Sequence, residues 1–125
     1  MGAPESISEA ESAVLAVLWE KGTATAEDVM TALANTRDWQ ESTVKTLLGR
    51  LLKKGAVRAR KDGRRFIYSP ALAREEWLSS ESESLLNRLF GGRVAPLVAH
   101  FSRHSKLSKR DIRELKRLVE EWEDE

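Results

Sequence analysis

Apolar positions recur along the first half of the chain at helical spacing in three separate runs, then give way to alternation. Ser8-Glu9-Ala10-Glu11 reads as a capping box with Ser8 as N-cap. The helix it opens carries Val14, Leu15, Val17, Leu18 and Trp19 and ends near Lys21-Gly22. Thr23-Ala24 is short and extended. Thr25 then caps a second helix over 26–34, with Val29, Met30 and Leu33 inward, and Asn35-Thr36-Arg37-Asp38 forms a turn before Trp39, an anchor. A third helix runs from Ser42 to a stop at Gly55. Its Val44, Leu47, Leu48, Leu51 and Leu52 form a face that must be buried.

Asp62-Gly63 is a two-residue hairpin signal between alternating segments. With those two residues as the loop, Lys61 pairs with Arg64, Arg60 with Arg65, Ala59 with Phe66 and Val57 with Tyr68. One face then offers Val57, Ala59, Phe66 and Tyr68 to the core. The other carries Arg58, Arg60 and Arg65, with Lys61 and Arg64 at the tip, and Pro70 ends the strand. This order of elements predicts a mainly α protein whose residues 1–70 form a winged helix-turn-helix domain, three helices plus a hairpin wing.

Residues 71–125 change character. A helix over 75–90 carries Trp77, Leu78, Leu85, Leu86, Leu89 and Phe90, and Gly91-Gly92 breaks it. Pro96 suits the first turn of a short helix bearing Val94, Leu97, Val98 and Phe101. Ser108, with Asp111 three residues on, caps a last helix whose Ile112, Leu115, Val119 and Trp122 make an a/d-type seam. Helices of this length cannot bury such stripes alone. The stripes either fold back on the first domain or meet a second copy. The first domain's core looks complete, which favours a three-helix dimerisation region using Leu85, Leu89, Val94, Leu97, Phe101, Ile112, Leu115, Val119 and Trp122.

The net charge of +1 says little, but its distribution is lopsided. Residues 45–65 hold nine cations (Lys45, Arg50, Lys53, Lys54, Arg58, Arg60, Lys61, Arg64, Arg65) against one anion, Asp62, a local charge of +8. A solvated cationic face is the plain alternative, yet beside a helix and hairpin such a surface suits a polyanion. Ser42, Thr43 and Thr46 begin the third helix, where short side chains approach base edges or phosphates. Lys45, Arg50 and Lys53 are phosphate clamps, with Arg50 able to reach a guanine. Arg58, Arg60, Lys61, Arg64 and Arg65 lie along the adjacent backbone or minor groove. Ser42 also fits the role of helix cap, and Lys53 and Lys54 that of favourable charges at a helix C-terminus. Gly49 costs about 1 kcal/mol inside a helix, and its missing side chain would permit close approach of another backbone.

Zero cysteines exclude disulfides, thiolate metal sites and a cysteine nucleophile. No apolar run approaches the roughly 18 residues of a membrane span, and the first residues lack a secretion signal's cationic and apolar regions. A cytoplasmic protein without membrane insertion is expected. His100 and His104 stand four apart, a spacing that can share a metal, but no firm third ligand accompanies them, so neither metal nor cofactor is expected. No nucleophile motif, phosphate loop or acidic metal cluster supports an enzyme. A winged-helix protein–protein adaptor without specific DNA binding is the better rival.

These residues resemble, nearly end to end, the penicillinase-repressor family (BlaI/MecI), which also includes copper-responsive CopY repressors. The matching pieces are Ile7-Ser8-Glu9-Ala10-Glu11 with Val17 and Trp19, and Thr43-Val44 with Thr46-Leu47 and Arg50-Leu51. Lys53-Lys54-Gly55-Ala56, the Gly63-Arg64, Phe66 and Tyr68-Ser69-Pro70 wing, and the Phe101, Leu107-Ser108, Asp111-Ile112 and Glu114-Leu115 tail complete them. The resemblance implies a homodimer that binds an inverted-repeat operator and blocks transcription. It also implies derepression by proteolysis in the dimerisation domain, through a protease or a membrane sensor-peptidase pathway responding to antibiotic. The bond at the family's cleavage position is His100–Phe101, where β-lactam-responsive members have Asn–Phe. The copper branch's C-terminal cysteine cluster has no counterpart here.

Overall fold

A computed structural model describes residues 6–104 and 107–123, which form six helices and one two-stranded sheet. Helix α1 (Glu9–Lys21) opens on the expected reciprocal cap: the Glu11 N–H donates to Ser8 Oγ at 3.1 Å and the Ser8 N–H to Glu11 Oε1 at 2.8 Å. Helix α2 (Ala26–Ala32) repeats the device with Thr25 and Asp28. It is two residues shorter than its pattern predicts. At Leu33 the chain tightens into a turn, with the Ala34 N–H on Thr31 O and the Arg37 N–H on Leu33 O. Arg37 lies 5.0 Å over the ring of Trp39, and Trp39 packs against the core, so this turn is clamped on both sides.

Helix α3 (Glu41–Lys53) begins one residue before Ser42. Gln40 is the cap residue and caps through its backbone alone, so Ser42 is not the N-cap. Val44, Leu47, Leu48 and Leu51 are buried as the stripe requires, whereas Leu52 is exposed because it lies at the stripe's edge. Together with Val14, Leu15, Leu18 and Val29 they form the centre of the core.

Strands β1 (Val57–Asp62) and β2 (Arg65–Pro70) pair antiparallel, but two residues out from the expected register. Asp62 faces Arg65, Lys61 faces Phe66 and Ala59 faces Tyr68, so the loop is Gly63-Arg64. Gly63 has φ +65° and holds the first central position. Both primed hairpin turns demand positive φ there, which only glycine accepts freely. A shift of two keeps each residue on its side of the ribbon. It also places Lys61 opposite Phe66 rather than at the tip. The predicted inward face is buried only at its base. Val57 is buried and Tyr68 half-buried, while Ala59 and Phe66 (49% exposed) extend past the edge of the core.

The sheet base is tied down by Ala24, which exchanges two backbone hydrogen bonds with Tyr68 (3.0 and 2.8 Å). The Trp19 indole N–H donates to Leu72 O at 2.9 Å, and its ring lies 5.6 Å from that of Trp77. Trp77 sits near the start of helix α4 (Arg74–Phe90).

Backbone contacts divide the chain inside α4, into Met1–Ser80 and Glu81–Glu125. The second unit holds the rest of α4, helix α5 (Val94–Arg103) and helix α6 (Lys109–Glu123). Gly92 turns between α4 and α5 at φ +77°, and a Cβ there would stand 3.0 Å from Asn87 Oδ1. Ser108 and Asp111 cap α6 reciprocally, as their spacing predicts.

Candidate nucleic-acid interface

The buried stripe of α3 decides what the rest of that helix offers. With Val44, Leu47, Leu48 and Leu51 facing inward, Ser42, Thr43, Lys45, Thr46, Arg50 and Lys53 are all exposed. So are Arg58, Arg60, Lys61, Arg64 and Arg65 on the hairpin. Arg64 and Arg65 come together with Lys45 across a cleft of about 390 Å³, which Thr25, Glu27, Glu41, Phe66 and Tyr68 also line. The leading end of α3 and the wing therefore share one edge of the first unit.

Individual side chains are set up differently from what a list of charges conveys. Thr46 donates its hydroxyl to Ser42 O at 3.0 Å, which leaves its methyl group and oxygen lone pairs to the outside. Lys45 Nζ lies 2.9 Å from Glu41 Oε2, one helical turn back. The Glu41 carboxylate, by hydrogen bond and then by charge, raises the Lys45 pKa. Asp28 is held below its usual value by the Thr25 N–H and hydroxyl, with Lys21 and Arg65 adding to the same field. A Cβ at Gly49 would meet nothing within 4 Å, so no backbone of this chain requires that glycine.

Lys54 is directed elsewhere. Its ammonium donates to Glu11 Oε1 at 2.6 Å and to Ser6 O at 2.7 Å, and it does not line the cleft. Glu11 is 1% exposed. Burial pushes its carboxyl upward, but the bonds from Lys54 and from Ser8 outweigh that and hold it below its ordinary value. Lys54 is thus an internal brace between α1 and α3. Residue spacing gave no hint of this pair, which is 43 positions apart. The Glu41–Lys45 pair was also passed over in the sequence, although its (i, i+4) spacing is a signal that could have found it.

In the second unit no residue of α5 or α6 is fully buried. Leu85, Leu89, Val94, Phe101, Ile112, Val119 and Trp122 are exposed, Leu89 at 61% and Trp122 at 77%, and Leu97 and Leu115 are half-buried. Leu118, half exposed and one turn before Trp122, widens the α6 stripe beyond the expected seam. An apolar groove runs between α5 and α6, lined by Val98, Leu107, Ile112, Leu115 and Val119. The His100–Phe101 bond lies inside α5, and the His100 ring is 4.4 Å from that of His104. Among the described residues no three His, Cys, Asp or Glu side chains gather to hold a metal ion. Nor is any described helix long and apolar enough to cross a membrane.

Comparison with known proteins agrees with this geometry. The family described as Penicillinase repressor matches residues 7–121. The penicillinase repressor of Bacillus licheniformis is 36% identical over 92% of this chain and 90% of its own length. The methicillin resistance regulatory protein MecI of Mammaliicoccus sciuri is 31% identical over 90% and 92%. The solution structure of the DNA-binding domain of the repressor BlaI superposes with a TM-score of 0.53 at 36% identity, covering 61% of this chain and 93% of that one. The B. licheniformis BlaI monomeric form, solved in complex with the blaP half-operator, gives 0.52 with the same coverage. Matched from its first capping box through most of α6, this chain belongs to the penicillinase repressor family.

Proposed function

We propose that this protein is a transcriptional repressor that lays α3 in the major groove of duplex DNA and rests its wing on the adjoining backbone. The observation that carries the reading is the division of α3 itself: one stripe is sealed in the core, and the other is a continuous exposed row of hydroxyls and cations continuing into the wing. Ser42, Thr43 and Thr46 serve base edges or close phosphates. Lys45, Arg50, Lys53, Arg58, Arg60, Lys61, Arg64 and Arg65 serve phosphates, with Arg50 within reach of a guanine. The half-operator complex of the related BlaI supports this use of the fold.

Two copies act together on an inverted repeat, joined through the apolar faces of α4, α5 and α6. Those faces leave Leu85, Leu89, Val94, Phe101, Ile112, Leu118, Val119 and Trp122 exposed, and clustered apolar surface of this kind marks an interaction site. Derepression follows cleavage at His100–Phe101 by a protease or a sensor-peptidase pathway, which would strip α6 from the first unit. The setting of this activity is the cytoplasm.

Selection of bound duplexes from a random pool tests the reading. An enriched motif with two-fold symmetry and half-site centres about one helical turn apart, or a multiple of that, is expected. Absence of preference for any duplex in dilute buffer would overturn it.

A further inference from the structure

Every charged residue on α3 is a cation except one. Glu41 occupies the first position of the helix, on the same cleft as Arg64 and Arg65, and its Oε2 holds the Lys45 ammonium at 2.9 Å. A carboxylate at a helix N-terminus gains from the dipole, and a Glu–Lys pair in this order gains a little more. Those gains are small. On a surface meant for phosphates, a negative charge at the leading end of the helix also repels the ligand.

We propose that Glu41 limits the phosphate-directed, sequence-independent part of DNA affinity, by occupying Lys45 and by opposing phosphates at the cleft. The proposal rests on the DNA-binding reading above. Sequence-independent affinity is almost wholly a matter of cations on phosphates, so a charge placed among those cations lowers it for every duplex. Base-edge contacts by the other α3 side chains are untouched by Glu41. Phosphate contacts are shared by specific and non-specific complexes, so the penalty falls on both, and sequence preference is left to the base-edge contacts. Lys45 is restrained rather than removed, because the pair is exposed on both sides and such pairs are weak.

The test uses the full-length protein, its Glu41→Gln variant, and two probes: a random-sequence duplex and the duplex that the native protein selects from a pool. Glu41→Gln keeps the side chain's shape, and its thermal unfolding serves as the check on folding. It is expected to bind the random duplex roughly 3- to 10-fold more tightly at low salt. Its salt slope should be steeper by about 0.9 for each copy bound, with its preference for the selected duplex little changed. Adding Lys45→Gln should flatten the slope by about 0.9 in the Glu41→Gln background, and by less than half of that with Glu41 present. A merely helix-stabilising Glu41 would leave both slopes alone, and that result overturns the proposal. So does weaker binding of the selected duplex with random duplex unchanged, which would make Glu41 a base contact. If the native protein selects no duplex, the DNA-binding reading itself fails, an outcome distinct from either.

Discussion

Glu11 is the residue on which the first unit's internal order turns. It closes the α1 capping box and receives the Lys54 ammonium in a nearly sealed site. Removing one member of a buried pair leaves the other charge uncompensated, which is far costlier than losing a surface pair. Lys54→Met is expected to lower the unfolding free energy at neutral pH by about 3 kcal/mol, read from urea denaturation. The pH dependence has a definite sign. Glu11's folded pKa lies below its unfolded value, so its contribution is present above the unfolded value and is lost as pH falls through the folded one. Native and variant curves should therefore converge at acid pH. A gap that persists below the carboxylate range would refute this account of the brace.

At the scale of elements, the wing and α6 carry separable predictions. Arg64 and Arg65 stand at the turn of the hairpin and beside the cleft. Replacing both with alanine should weaken binding to all duplexes alike and flatten the salt slope by about 1.8 for each copy bound. An unchanged slope in a filter-binding titration would take the wing out of the interface. On α6 the exposed stripe of Ile112, Leu118, Val119 and Trp122 has no partner within its own helix to cover it. Ile112→Asp with Val119→Asp should turn the assembly into monomers in sedimentation equilibrium. A mass unaffected by those charges would mean that the copies do not meet through α6.

For the molecule as a whole, reading and coupling are separate tasks in the proposed mechanism. In that proposal a single first unit engages one half-site, and joining two multiplies affinity for a paired site. Effective concentrations in tethered systems typically add 10²–10⁴ in affinity. The α6 double variant should therefore lose about that much on a full inverted repeat while keeping its affinity for an isolated half-site. Equal losses on both probes would show that the substitutions disturb the DNA-binding unit instead. Local patterns alone determined much of this protein: the capping boxes at Ser8, Thr25 and Ser108, the inward stripe of α3, the outward cations and the winged-helix order. Each of these rests on contacts within a turn or two of chain. The tertiary structure alone decided that Lys54 braces Glu11, that Phe66 and Ala59 stand clear of the core, and that the hairpin closes on Gly63-Arg64. The first two depend on where distant segments meet and where the core ends. The third depends on which residue occupies the turn's positive-φ position, and residue alternation cannot distinguish registers that differ by two.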